Sequence, residues 1–133
     1  MKGTARSGSW LGASQPVGTL ILVVFIPSQD RDGNAIDQDF WVRGALETLG
    51  TLFRGATAYP RARGVWRDDE RGGILRYEEP ILVTCYADPR AMTNAARTRL
   101  RAFLHRMGRE SKQGEVGIVV GGDYYGITEF DPA

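Results

Sequence analysis

The run VGTLILVVFI, from Val17 to Ile26, constrains the fold of this chain more than any other stretch. It is almost continuously apolar and rich in β-branched residues, which is typical of a strand at the centre of a sheet. We expect Pro27 to end it, because proline has no amide hydrogen for the next ladder bond. At far fewer than the roughly 20 residues that span a bilayer, the run predicts no membrane segment.

Two amphipathic stretches predict two helices of similar length. Helix one is expected over residues 37–53, with Asp37 as its capping residue and a broad apolar arc facing the sheet. Helix two is expected over residues 89–109, with Asp88 as its cap and a proline at its first position. Both helices therefore have one apolar face to bury.

The segments between the helices predict the remaining strands. Residues 55–68 carry strand-forming residues interrupted by Pro60 and Gly64, which favours an irregular or edge strand. The segment ILRYEEPILVTCYA, residues 74–87, is expected to form one strand interrupted by Pro80. Near the end of the chain, GEVGIVVGGDYYGITEF predicts two short strands joined by a Gly-Gly turn.

The resulting order is β-α-β-β-α-β with a short strand appended. This order predicts an α+β, ferredoxin-like sandwich, with a four-stranded antiparallel sheet and both helices on one face. The domain is expected over residues 17–133, after a flexible tail over residues 1–16 that is rich in Gly, Ser and Ala. Because strands one and three are apolar on both faces, we expect the second face of the sheet to be covered in a homodimer.

Three short motifs resemble an uncharacterised family of small bacterial ferredoxin-like proteins. They are Ile26-Pro27 at the end of an apolar strand, Trp41 in the following helix, and Gly64-Val65-Trp66-Arg67-Asp68 in a hairpin. The likeness covers roughly residues 19–120 and implies the fold but no activity. The topology is also similar to the dimeric α+β barrel group, which includes small monooxygenases, isomerases and binding proteins.

Several site chemistries are excluded or disfavoured by composition. One cysteine, Cys85, and one histidine, His105, exclude an internal disulfide and any site built on several cysteines or histidines. The Asp30 loop lacks the glycine and the final acid of a calcium-binding loop, so an Asx turn is favoured. The run Asp68-Asp69-Glu70 is predicted to be the solvated tip of a hairpin. We expect no metal and no cofactor, in a soluble cytoplasmic protein.

Two groups of residues are candidates for binding. An aromatic and arginine set suits a small anionic or aromatic ligand, although core packing and dimer contacts would also explain it. A basic stripe on helix two suits phosphate, although a solvated helix face, paired with the acidic C-terminal segment, would also explain it. The first set is Tyr59, Arg63, Trp66, Arg67, Tyr77 and Tyr124, and the second is Arg97, Arg101, His105 and Arg109.

No residue pattern in the chain identifies a reaction. The favoured hypothesis is a homodimeric binding or accessory protein that uses the arginine and aromatic hairpin surface for a protein partner or a small ligand. The alternative is a cofactor-free enzyme of the dimeric α+β barrel type. A nuclease based on Asp30 is disfavoured, and the net charge of only +1 gives no reason to expect a nucleic-acid partner.

Overall fold

The computed structural model describes residues 10–13 and 15–133. Most of the predicted flexible tail therefore lies outside the described residues. Two α-helices are present, α1 (Gln38–Phe53) and α2 (Asn94–Glu110), with 3-10 turns at Asp69–Arg71 and Pro89–Ala91. The strands are β1 (Leu20–Ile26), β2 (Thr57–Ala58), β3 (Gly64–Asp68), β4 (Ile74–Glu78), β5 (Ile81–Ala87), β6 (Val116–Val120) and β7 (Asp123–Ile127).

Five strands form the main sheet, in the order β2-β5-β1-β6-β7, with every neighbouring pair antiparallel. The prediction of a central first strand is confirmed, since β1 lies in the middle. Leu22 is opposite Cys85 on one side and Val120 on the other. The protein is thus a mixed α+β protein with two helices and a five-stranded antiparallel sheet.

The core lies between the helices and one face of this sheet. Alternate residues of β1, namely Leu22, Val24 and Ile26, are fully buried against α1 and α2. The residues between them point to the opposite face, which no described helix covers. No described helix is long and apolar enough to cross a membrane.

The segment 74–87 differs from its prediction as a single interrupted strand. It forms two strands in two different sheets, because β4 pairs only with β3 in a separate hairpin and β5 pairs with β1. Pro80 lies between them and cannot donate a ladder bond, so the chain changes direction there. The β3–β4 hairpin extends from the main sheet and leaves Val65, Trp66, Leu75 and Tyr77 exposed.

The first helix agrees with its prediction and the second begins later. The carboxylate of Asp37 accepts a hydrogen bond from the Phe40 amide at 3.1 Å, as expected for the cap of α1. In contrast, residues 89–91 form only a 3-10 turn. Helix α2 starts at Asn94, because the Thr93 hydroxyl caps it by accepting from the Ala96 amide at 3.1 Å.

Candidate functional site

An open cleft lies where two strands of the main sheet meet the hairpin. Strand β1 ends there, β5 begins opposite it, and the base of the β3–β4 hairpin forms the far wall. The cleft has a volume of about 600 Å³, within the range of small-molecule sites. Its lining residues are Ser28, Gln29, Arg63, Gly64, Val65, Tyr77, Glu78 and Glu79.

Glu78 is the lining residue with the most distinctive environment. It is half-buried, and its carboxylate accepts a hydrogen bond from the Ser28 amide at 3.2 Å. Burial raises the pKa of this carboxyl above its ordinary value, and the Ser28 bond offsets only part of that effect. Among the described residues no basic side chain forms an ion pair with it. A partly desolvated carboxylate without a cationic partner favours a cation or a proton from outside.

Gln38 holds the segments around the cleft together. This buried side chain donates from Nε2 to the carbonyls of Ile26 and Glu79, each at 3.1 Å. Its Oε1 accepts from the guanidinium of Arg61 at 3.1 Å. The first residue of α1 therefore binds the end of β1, the β4–β5 link and the β2–β3 link, which fixes Glu78 relative to Ser28.

The structure brings together only part of the predicted aromatic and arginine set. Arg63 and Tyr77 line the cleft. Trp66 and Arg67 lie further along the hairpin, where Arg67 pairs with its neighbour Asp69. The other two members, Tyr59 after β2 and Tyr124 on β7, are also exposed and outside the cleft lining.

The acidic run at the hairpin differs in part from its prediction. Asp69 and Glu70 are exposed, as expected of a solvated tip. Asp68, however, is buried, with 8% of its surface exposed, and accepts from Arg76 at 2.7 Å. Residues 68 and 76 face the same side of the hairpin, so Arg76 covers the carboxylate, and their hydrogen bond lowers the pKa of Asp68.

The basic stripe of α2 is bound by the chain's own C-terminal segment. Arg101 donates twice to the Asp131 carboxylate, at 2.8 and 3.0 Å, and Arg109 donates to the Asp131 carbonyl at 2.6 Å. His105, which a solvated helix face would leave exposed, has only 5% of its surface exposed. Its Nδ1 accepts from the Asp131 amide at 2.8 Å, and the ring of Phe130 packs edge-on against it. Arg97 is exposed and is not among these contacts.

The Asp30 loop has the predicted Asx geometry. Oδ1 of Asp30 accepts from the amides of Asp32 and Asn34, both at 2.9 Å, and these bonds lower the pKa of Asp30. Over residues 10–13 and 15–133, no group of three or more His, Cys, Asp or Glu side chains is placed to hold a metal ion.

Sequence reasoning missed the polar residues that build the cleft. Ser28, Gln38 and Glu78 converge from positions 50 residues apart, and no local spacing indicates this. The one local signal is the pair Glu78-Glu79 directly before Pro80. A proline that ends a strand places the acids before it at the end of a sheet, where ligand sites are common.

Comparison with known proteins gives a fold but no family. No family model and no curated protein matches the chain, so the resemblance to the small bacterial family stays a prediction. A solved structure of a phage SAM lyase in complex with S-methyl-5'-thioadenosine is 18% identical, with a TM-score of 0.62 over 84% of this chain and 91% of the lyase chain. A phage SAM lyase in the apo state is 19% identical, with a TM-score of 0.56, over 88% of this chain and 94% of that chain. The protein therefore shares the fold of these lyases.

The Gln38 contacts predict a loss of stability when the amide is removed. In Gln38→Met, two backbone carbonyls and the Arg61 guanidinium lose their partner, and we expect the free energy of unfolding to fall by about 1–3 kcal/mol. Urea denaturation followed by fluorescence measures this change. The control is Gln15→Met, at an exposed position. Equal stability of both variants would show that the Gln38 hydrogen bonds contribute nothing.

The environment of Glu78 predicts that removing its charge stabilises the folded protein, by an amount that depends on pH. Because the folded-state pKa lies above the unfolded value, the folded state binds the proton more readily, and wild-type stability falls as pH rises through that interval. Glu78→Gln should therefore be more stable than the wild type at pH 7, with a smaller difference at pH 4. Thermal unfolding at both pH values tests this, with the exposed Glu79→Gln as control. A stability difference independent of pH would contradict the burial of the charge.

Proposed function

We propose that the protein binds a cationic nucleoside of the SAM class in the cleft and releases a neutral thioether from it, with no cofactor. The observation that carries this proposal is the half-buried Glu78 carboxylate, which lines the cleft without a basic partner among the described side chains. A sulfonium group is a permanent cation that carries no hydrogen-bond donor of its own. A desolvated carboxylate is therefore a suitable counter-charge for it.

The rest of the cleft lining suits the other parts of such a ligand. Tyr77 is 72% exposed on one wall of the cleft, and its ring offers a face on which a purine can stack. Arg63 lines the same cleft and can bind a carboxylate of the ligand through its planar guanidinium. Both roles keep the sequence-based prediction that Arg63 and Tyr77 bind a ligand.

The fold comparison supports the same ligand class. The two similar structures are phage SAM lyases, and one of them holds S-methyl-5'-thioadenosine. Fold alone does not select a reaction, whereas the charge of the cleft does favour a cationic ligand. Cleavage of a carbon–sulfur bond leaves the bonding electron pair on sulfur as a neutral thioether, while the carbon forms a new bond to an oxygen of the ligand's own carboxylate, so the sulfonium cation and the carboxylate anion are consumed together. A partly desolvated site favours that loss of charge, since burial penalises ions more than neutral groups.

We further propose that the protein is a homodimer with a ferredoxin-like arrangement of its sheet. In support of the arrangement, β5 lies between β1 and β2, and each helix connects strands of the same sheet. In support of the dimer, the sheet face opposite the helices carries Val23, Phe25 and the exposed Tyr86. The β3–β4 hairpin adds further exposed apolar residues, and an isolated two-stranded hairpin is only marginally stable in water.

Substitution of Glu78 should separate charged from neutral ligands. We expect Glu78→Gln to weaken binding of SAM by about tenfold or more, equal to ~1.4 kcal/mol or more, because the counter-charge is lost. Binding of S-adenosylhomocysteine, its neutral thioether analogue, should change by less than about twofold on the same scale. Calorimetric titration measures both affinities, and chromatography of the SAM incubation detects the released thioether.

The matched control is Glu47→Gln, which changes an exposed carboxylate on α1, outside the cleft lining. It should leave both affinities and any thioether release unchanged. If wild-type protein bound neither SAM nor its thioether analogue, the proposed function would be wrong. Binding of both ligands without release of a thioether would reduce the proposal to a binding protein.

The dimer proposal predicts the mass of the particle and the effect of a charge on the uncovered face. Light scattering should give the mass of two chains, and Val23→Glu should shift the particle to one chain, because a carboxylate opposite an apolar surface is costly to bury. The exposed Glu47→Gln variant should keep the wild-type mass. A wild-type particle with the mass of one chain at high concentration would overturn the proposal.

A further inference from the structure

The turn after α2 brings the amide of Gln113 to the segment that forms one wall of the cleft. This wall follows β1, and Ser28 and Gln29 line the cleft from it. Gln113 donates from Nε2 to the Gln29 carbonyl at 3.0 Å, across 84 positions of sequence. The Arg31 amide donates to the Lys112 carbonyl, also at 3.0 Å. Two hydrogen bonds therefore join the end of α2 to the wall of the cleft.

The backbone of this turn is a Schellman motif in which a lysine stands where glycine is usual. The Gln113 amide donates to the Gly108 carbonyl at 2.9 Å, and the Lys112 amide donates to the Arg109 carbonyl at 3.4 Å. These are the two bonds that define the motif. Lys112 has a φ of 55°, a left-handed conformation that is unfavourable for residues with a Cβ. The left-handed residue turns the chain so that residues 112 and 113 meet the cleft wall.

Gln113 is a buried polar side chain at a position that often carries an apolar one. In this motif the second residue after the cap commonly makes a hydrophobic contact with the last turn of the helix. The helix offers only Gly108 there, and Gln113 has 8% of its surface exposed. Its Nε2 also donates to the carbonyl and the hydroxyl of Ser111, at 3.1 and 3.2 Å. Burial of an amide is costly unless its hydrogen bonds are made, and the bond to Gln29 reaches beyond the turn.

The bond at Gln29 affects Glu78 through the preceding residue of the chain. The Ser28 amide donates to Oε1 of Glu78 at 3.2 Å. The Ser28 hydroxyl accepts from the Glu79 amide at 3.3 Å. Only two soft torsions per residue separate neighbouring peptide units, so a Gln29 carbonyl held in place limits the movement of the Ser28 amide. The path from Gln113 to the Glu78 carboxylate therefore consists of two hydrogen bonds and one short stretch of backbone.

We infer that Gln113 is a positioning residue of the cleft, which orients the Glu78 carboxylate by holding the Ser28–Gln29 segment in place. This inference rests on the proposed function for the identity of the ligand and assigns the end of α2 a part in that same site. Gln113 is absent from the cleft lining, so it acts through the residues that it holds. Gln38 binds the end of β1 from α1 in a similar way, so each helix contributes one buried amide to the geometry of the cleft.

Coupling between Gln113 and Glu78 can be measured without a ligand. The rise in melting temperature caused by Glu78→Gln at pH 7 is compared in wild type and in Gln113→Met, which has a similar volume but no donor. Loss of the donor frees the Ser28 amide, whose bond offsets part of the cost of burying the charge. The rise should therefore be larger in Gln113→Met, and the difference should shrink at pH 4, where the carboxyl binds a proton. An equal or smaller rise would overturn the inference, since independent residues have additive effects.

Ligand binding tests the same role at the site. We expect Gln113→Met to weaken binding of SAM about fivefold and to leave S-adenosylhomocysteine within about twofold of wild type, because Glu78 faces the sulfonium group. Added to Glu78→Gln, Gln113→Met should cause no further loss, because the carboxylate that it orients is already gone. Calorimetric titration gives the affinities, and KM replaces Kd where SAM is turned over.

Lys112→Gly is the matched control in the same turn. It removes the left-handed strain and keeps the Gln113 side chain, so the melting temperature should be at least as high as in wild type. The effect of Glu78→Gln and both affinities should stay unchanged. If Gln113→Met fails to fold, Gln113→Asn decides, because its amide is one methylene too short to reach Gln29. The other titratable side chains around Glu78, the same in every background, are Arg63, Tyr77, Glu79 and Tyr124.

The outcomes distinguish this inference from the proposed function. If wild-type protein binds neither SAM nor its thioether analogue, the proposed function is wrong, and the coupling at pH 7 still decides whether Gln113 orients Glu78. If Glu78→Gln weakens SAM binding and Gln113→Met does not, the inference alone is wrong. A larger stability gain in the Gln113→Met background, with a loss of affinity confined to SAM, supports the assignment of Gln113.

Discussion

The buried amide of Gln38 is the interaction on which the geometry of the site depends. The two carbonyls that it binds, those of Ile26 and Glu79, each precede a proline. Proline ends the ladder of a strand because it lacks an amide hydrogen, and a buried carbonyl needs another donor. One side chain at the first position of α1 supplies both donors. The end of β1 and the base of the hairpin are thereby held at a fixed separation, and the cleft is the space that this separation leaves.

The charges around the cleft show where the protein is not optimised for stability. Burial raises the pKa of Glu78, which means that the ionised form is a cost to the folded state at neutral pH. Salt bridges and capping bonds satisfy other acids, among them Asp68, Asp88 and Asp131. A carboxylate that is half-buried without such a partner is characteristic of functional sites, where stability is given up for ligand binding.

The sequence predicts those parts of the fold that depend on local patterns. The central strand, the first helix with its Asp37 cap and the hairpin after Glu115 follow from apolar periodicity, capping and turn residues. The separate β3–β4 sheet does not, because residues 74–87 form one apolar pattern and only Pro80 indicates the break. The burial of Asp68 and of His105 depends on partners, Arg76 and Asp131, whose pairing is set by register and by the path of the C-terminal segment.

The candidate site is harder to predict than the fold, because its residues come from segments far apart in the chain. Glu78 meets the Ser28 amide, and Gln113 meets the Gln29 carbonyl from 84 positions away. Neither contact leaves a spacing rule in the sequence. The aromatic and arginine set was a reasonable hypothesis, since Arg63 and Tyr77 do line the cleft. The acids that give the cleft its charge lie outside that set, and so the sequence predicts an anionic or aromatic ligand instead of a cationic one.

The ion pairs within the chain favour a cationic ligand, whereas the sequence alone predicts an anionic or aromatic one. The basic stripe on α2 invites an anion, but Arg101, His105 and Arg109 already contact Asp131 of the same chain. An external phosphate would have to displace that carboxylate together with the packing of Phe130 against His105. At the cleft the opposite holds, since Glu78 forms no ion pair within the described residues. A ligand gains most where the protein has left a charge without a partner, so a cation at the end of the sheet is favoured over an anion on the helix.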